Sequence, residues 1–374
     1  MDDSISLTRR WVHVLAGQIG VRLAGTEADR RAADFIEAEF GRLLPVVRRH
    51  EFRFLGWEPG TEGVLTLGGE AVPARLGIGS PPTPPEGLTG ALRRLGTSPV
   101  FGVWTPGGAG PAAHLMAYTG PGRRAIPLLW EPAGGLPAGI LDGDLEPRLA
   151  AASFSGEPVT FASAARLLPG ATSWNVEGIL PGDPRRRVVV LAHHDSVYAT
   201  PGANDNAASL ACLPALARRL SEVAEESRPT VHFLATGAEE CGLLGARCYV
   251  RDLGWRGETA GVTLAVNFDS LTWGNTLRVG TDARGSAALE ALEVAQRAAP
   301  LAAYTGVWQR EAPPAGVDSA PFFAAGIPTL NINTTGDEQT VALWHTPQDT
   351  EERVPWRRVD DALALFTEFL QRAG

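Results

Sequence analysis

Between Ser173 and the C-terminus, four continuous apolar runs of strand length alternate with segments of helical pattern. The runs are VVVLA (188–192), VHFLAT (231–236), VTLAVNF (262–268) and IPTLNI (327–332), and the helical segments are 206–224, 240–253, 286–299 and 318–325. A strand with one wet face alternates apolar and polar residues, whereas a strand apolar throughout is covered on both faces. Covered strands spaced by helices predict an α/β fold with a mostly parallel central sheet flanked by helices. A last helix, about Trp356 to Arg372, is expected to pack back on that sheet.

The rest of the chain has a different texture. Ser6–Leu44 reads as two amphipathic helices separated by the turn GVRLAGT, with Thr26 placed as a cap and Asp29 three residues on. Val46–Leu55 alternates as VVRRHEFRFL and fits a strand. From Trp57 to Ala165 prolines accumulate, 15 of the chain's 29, between short strand-like runs such as Val100–Trp104 and Ile126–Trp130. Proline lacks the amide that a helix interior needs, so helix cannot dominate there. We expect a β-rich inserted apical domain over 57–165, within a main domain built from 1–56 and 166–374. No internal repeat of fixed period is present.

Charge narrows the possible partners. Thirty-three basic and 42 acidic side chains give a net charge of −9; every basic residue is Arg, and the longest basic run is Arg185 to Arg187. That balance speaks against nucleic acid and against an anionic membrane surface. Three cysteines, with no CxxC pair, make neither a disulfide framework nor a thiolate metal site. Met1-Asp2-Asp3-Ser4 has no basic or apolar leader character, and nowhere do 18 apolar residues run together, so a cytoplasmic location is expected. Oligomeric state is left open.

In open α/β sheets, ligands bind beyond the carboxyl ends of the strands. Three of the apolar runs lead there into metal-binding residue types: His193-His194-Asp195-Ser196, Glu239-Glu240 and Asp269-Ser270. Asp205 lies twelve residues after His193 in PGANDNAAS, and His345 stands far downstream in LWHTPQDT. Two imidazoles and three carboxylates without a thiolate suit a borderline divalent ion such as zinc, and cobalt or manganese would accept the same donors. A shared carboxylate would let two ions sit roughly 3.5–4 Å apart, and a water bridging them loses its proton near neutral pH and becomes a nucleophile. Glu239 and Glu240, adjacent at a strand end, point in different directions. One can bind metal while the other takes the water's proton.

Each of these residues also has a plain structural reading. A lone His is more often packing or surface, a Glu pair is usually solvated, Asp205 suits a helix cap, and Asp269 suits a turn. Agreement among the strand ends is what favours the site. His194 and His232 read as packing, Cys241 as a small apolar residue, and Asp349 as a turn residue or a support.

The blocks AHHDS, PGANDNAAS, LATGAEECGLLGARCYV, VNFDS, GVDSAPFFAAGIPTL and WHTPQDT, in that order, resemble the signature of the co-catalytic zinc aminopeptidase family. Bacterial leucyl aminopeptidases, glutamate carboxypeptidases and glutaminyl cyclases share that zinc-dependent exopeptidase, phosphorylase/hydrolase-like fold. GVRLAGTEADRRAADFIEAEF resembles the family's opening helix, so the likeness spans residues 20–45 and 173–374. It implies two zinc ions, with His193 and Asp269 on one, Glu240 and His345 on the other, and Asp205 bridging. It further implies Glu239 as general base, Asp195 orienting His193 through its second ring nitrogen, and a cis peptide between Asp205 and Asn206. More weakly, 57–165 resembles a protease-associated insertion that shapes the rim of the active site.

Two positions depart from the pattern. Where relatives often read SDH, this chain has Val317-Asp318-Ser319, and where many place Tyr before the last ligand it has Trp344, whose indole donates a hydrogen bond but cannot act as a phenol. Asp318 and Trp344 are therefore expected to support the ligands. The resemblance implies a metallo-exopeptidase, foremost an aminopeptidase acting on peptides with a free N-terminus. Glutaminyl cyclisation on the same scaffold and an inactive receptor-like protein are the alternatives.

Overall fold

The computed structural model describes residues 3–130, 135–305, 309–336 and 338–373. Two compact units divide the chain, Met1–Arg53 with Thr172–Gly374, and Phe54–Ala171. Both divisions fall inside long strands, Val46–Glu58 and Arg166–Leu180.

An eight-stranded sheet runs through the first unit. Its strands are β1 (Val46–Glu58), β2 (Arg166–Leu180), β3 (Asp183–His193), β4 (Pro229–Thr236), β5 (Leu264–Phe268), β6 (Thr276–Gly280), β7 (Gln309–Glu311) and β8 (Thr329–Thr335). The order across the sheet is β1-β2-β4-β3-β5-β8-β6-β7. The four apolar runs become its centre, β4-β3-β5-β8, and are mutually parallel. Towards the margins the sheet is mixed, because β2 runs antiparallel to β4 and β6 antiparallel to β8. β6 escapes the sequence pattern: TLRVG is only partly buried, so it lacks a continuous apolar run.

Helices α1 (Asp3–Val12), α2 (Glu27–Leu43), α3 (Ala208–Ser221), α4 (Leu244–Arg256), α5 (Ser286–Ala298), α6 (Ser319–Ala324) and α7 (Trp356–Arg372) belong to the same unit. Thr26 caps α2 by accepting the Asp29 amide at 3.4 Å, as the spacing predicts. Alternation along β3 explains why every residue from Val188 to Ala192 is apolar. Val188, Val190 and Ala192 join the core shared with α1, α2, α3, α5 and α7, while Val189 and Leu191 join Ala246, Tyr249, Leu253 and Phe322 of α4 and α6. α3 is buried nearly all round, which explains the unbroken SLACLPALA of its sequence.

Register then positions the site. β3 pairs His193 with Thr236 of β4, and Leu191 with Asn267 of β5. The residues that follow all three strands therefore emerge along one edge.

In the second unit seven strands close a barrel, in the order Gly63–Leu67, Glu70–Leu76, Ala138–Asp142, Ala113–Tyr118, Val100–Trp104, Leu88–Arg94 and Pro158–Ala162. Its helix Glu146–Ser155 was not foreseen from the proline content. Pro147 sits in the first turn, where its missing amide costs nothing, and Gly156 ends the helix at φ 74°. Among the described residues, no helix is long and apolar enough to cross a membrane.

The ring of Phe366 on α7 lies 4.5 Å from that of Phe268, centroid to centroid, and both side chains are fully buried. Phe366→Ala should destabilise the fold by about 3–5 kcal/mol. Denaturant unfolding checks this, and an unchanged midpoint would contradict the packing.

Candidate metal centre and catalytic base

His193 is the last residue of β3. After β4 the chain passes Gly237 and Ala238 before Glu239 and Glu240, and Asp269 follows β5 directly. Asp205 sits in an irregular turn, Ala203–Ala207, that leads into α3, and its peptide to Asn206 is cis. His345 belongs to the loop before α7. Gly202 opens the Asp205 turn at φ 61°, where a Cβ would stand 2.3 Å from the Asp205 carbonyl oxygen. Only glycine fits there.

These side chains converge. The ligand atoms of His193, Asp205 and Asp269 lie within 4.8 Å of one another, and so do those of Asp205, Glu240 and His345. His193 Nε2 faces Asp205 Oδ1 at 3.3 Å, while His345 Nε2 faces Asp205 Oδ2 at 3.6 Å and Glu240 Oε1 at 3.3 Å. A third group joins His193, Glu239 and Glu240, so Glu239 borders the centre without joining either group that contains Asp205. Cys241 is in none of them. The five donors sequence reasoning marked thus form two trios with Asp205 in common.

Backbone strain collects around them. Ala238, Leu243, Ser270 and His345, all non-glycine, adopt φ of 55°, 61°, 56° and 53°. Each costs roughly 1–2 kcal/mol and persists only where surrounding contacts force it.

The donors fit a divalent cation on the chemistry of one pair. His193 Nδ1 donates to the Asp195 main-chain carbonyl at 3.1 Å, which leaves Nε2 with its lone pair towards Asp205 Oδ1. Two acceptors in contact need a cation or a proton between them. The electrostatics of the site carry the same deficit of positive charge. Burial lowers the pKa of His345, but Glu240 and Asp205 outweigh it and the pKa rises to about 10. Burial likewise opposes the charge on His193, yet Glu239, Asp195 and Asp205 raise it well above the ordinary value. Burial, then the neighbouring carboxylates, push Asp269 up to about 6 and Glu239 far above the ordinary Glu value. With protons as the only cations, the imidazoles are drawn into that role.

A further set of contacts orients the donors. The Asp195 carboxylate is 3.6 Å from His193 Nδ1; its closer partners are the amides of Glu239 and Glu240, which donate to Oδ1 and Oδ2 at 3.0 and 3.1 Å. Asp195 therefore holds the glutamate pair by its backbone, while its own carbonyl sets the tautomer of His193. Trp344 donates its indole N–H to Asp205 Oδ2 at 2.9 Å. Asp318 is buried, accepts the Thr236 hydroxyl and is raised by burial to about 7. His194 is buried and donates to the Trp174 carbonyl; His232 pairs with Glu177 at 2.8 Å in a core that excludes the site.

Asp349, which the sequence reads as a turn residue or a support, accepts the amides of Asn204 and Asp205 and the Asn204 side chain. Sequence reasoning missed other supports. Asn206 donates to the Phe268 carbonyl at 2.9 Å and accepts the Ser270 amide at 3.1 Å, tying the Asp205 turn to the Asp269 loop. Arg22 is fully buried and donates to the carbonyls of His194, Leu15, Gly20, Pro201 and Gly202. Burial lowers its pKa to about 10, against the pull of Asp195, Asp349, Asp205 and Asp29. Its one sequence signal is a charge inside the small, apolar turn GVRLAGT.

Residues 175–370 match the model of peptidase family M28. The chain belongs to that family. It is 27% identical over 390 residues to aminopeptidase YwaD of Bacillus subtilis, covering 96% of this chain and 82% of that protein. Its fold is similar to that of BSAP, a zinc aminopeptidase from Bacillus subtilis, with a TM-score of 0.74 at 24% identity over 98% of this chain and 94% of the other. A glutaminyl cyclase from an Acidobacteriales bacterium has a TM-score of 0.55 at 14% identity, over 99% and 92% of the two chains, a likeness of fold alone.

Arg22→Met in this M28 chain would remove the side-chain donor from five carbonyls, of which those of Leu15 and Gly202 keep a backbone donor, from Gly20 and Ala207, and those of His194, Gly20 and Pro201 lose the donor named here. Each unsatisfied group costs about 1–3 kcal/mol, so a net loss on the order of 3–5 kcal/mol is expected as a lower urea midpoint. Wild-type stability would mean that water reaches those carbonyls.

Proposed function

We propose that the chain is a metal-dependent aminopeptidase that binds two zinc ions, one through His193, Asp205 and Asp269 and one through Asp205, Glu240 and His345. One observation carries this reading: two donor trios share a single carboxylate, and a further buried carboxylate, Glu239, borders both without belonging to either. Bound there, the ions would supply Lewis-acid polarisation of a peptide carbonyl and acidify the attacking water.

What remains falls to side chains of this chain. Glu239 accepts the proton of the attacking water on its carboxylate and delivers it to the departing amine nitrogen. Asp195 fixes where Glu239 stands by binding its amide, which keeps the base at a constant angle to the water.

The likeness to aminopeptidase YwaD, which covers 82% of that protein, supports a substrate with a free N-terminus.

Three measurements test this function. Purified protein should carry zinc by elemental analysis, lose activity on chelation, and cleave aminoacyl amides but not N-blocked peptides. Glu239→Gln should lower kcat by about 10²–10⁴ with metal retained, and Asp205→Asn should lose metal. Near-full activity in Glu239→Gln would remove the base. Release of ammonia from an N-terminal Gln peptide, with no amino acid released, would reassign the chain to cyclisation.

A further inference from the structure

We propose that Trp344 is a positioning residue that fixes the rotation of the Asp205 carboxylate and so sets the metal affinity of the trio formed with Glu240 and His345, an inference that rests on the two-trio reading above. A carboxylate turns easily about its last bond, since that torsion is broad and two-fold. Asp205 must nonetheless present Oδ1 to His193 at 3.3 Å and Oδ2 to His345 at 3.6 Å at the same time. One directional donor on one of the two oxygens settles that angle. The indole N–H supplies it, at 2.9 Å from Oδ2.

An indole suits the task chemically. It donates and never accepts, so it cannot reverse the contact, and it is neutral, so it does not compete with a cation as Arg or Lys would. Oδ2 has a second lone pair, which stays available to an ion. The backbone of Asp205 is held independently: Asp349 Oδ2 accepts its amide at 3.1 Å, and the Asp349 carbonyl accepts the Ala203 amide at 3.1 Å. Segment 344–349 thus grips Asp205 at the amide through Asp349 and at the carboxylate through Trp344. The same indole ring lies 4.3 Å from the His345 ring, inclined by 36°. One side chain touches two of the three donors in the trio.

Trp344→Phe separates these effects, because it keeps a ring beside His345 and removes the N–H. Full-length wild type and variant, both stripped with chelator, are titrated with Zn²⁺ against a competing chelator, and bound ions are counted by mass spectrometry. Wild type should bind two ions. In the variant one step should weaken by about 10–100-fold, the usual effect of losing a contact that orients a ligand. The other step should weaken less, and the metal-free melting temperature should stay at the wild-type value. Trp344→Ala, which also loses the ring, should weaken the same step at least as much.

Two wild-type binding steps in Trp344→Phe would overturn the proposal. So would a parallel fall of both steps and of the metal-free melting temperature, which marks a merely structural role. Failure of the wild type to bind two ions would instead overturn the functional reading itself.

Discussion

Glu239, Glu240, Asp205, Asp269 and Asp318 crowd around two imidazoles at the carboxyl edge of the sheet, and their mutual repulsion is the constraint the surrounding structure has to meet. Buried like charges raise one another's pKa until protons or cations intervene. Burial first lifts Asp269 and Asp318, neighbouring carboxylates lift them further, and the carboxylates raise His193 and His345 against burial. A divalent ion relieves that repulsion more fully than a proton, because it brings two charges and several coordination positions. The centre is therefore strained electrostatically by design of its sequence, and the remaining fold must supply enough rigidity to keep it from opening.

That rigidity comes from groups that never approach a substrate. Arg22 gathers five carbonyls from the α1–α2 connection, the end of β3 and the approach to the Asp205 turn. Asp349 and Asn206 join the same turn to the His345 loop and to the Asp269 loop. Asp195 joins β3 to the glutamate pair after β4. Each contact uses a side chain to hold a backbone, and each links two of the segments that carry a donor. Left-handed backbone at Ala238, Ser270 and His345 is tolerable only because such contacts over-determine those loops.

How much of this was legible follows from what each residue does. Burial on both faces imposes continuous apolar runs, so β3, β4, β5 and β8 were readable, whereas β6, half-buried and alternating, was not. Strand ends carry His193 and Asp269, and register brings those ends together, so candidate donors were readable from the strand pattern, whereas their grouping around Asp205 was what the family resemblance implied. Arg22 offered no more than a charge inside GVRLAGT, because its partners are carbonyls, which every residue has and no sequence pattern marks. The closer partners of Asp195 were missed for the same reason: an amide of Glu239 cannot be distinguished from any other amide until the chain is folded. The helix Glu146–Ser155 was hidden by a proline that its first turn accepts.

The roles of Asp195 show why the centre resists piecemeal change. Its carbonyl sets the proton on His193 Nδ1, which frees Nε2 for a cation, while its carboxylate holds the amides of Glu239 and Glu240. One residue thus couples a donor of one trio, a donor of the other and the proposed base. Truncating it would alter all three at once, so the effects of changing Asp195 together with Glu239, Glu240 or His193 are not expected to add. The contact from Trp344 belongs to the same network, because its indole aims a donor at Asp205.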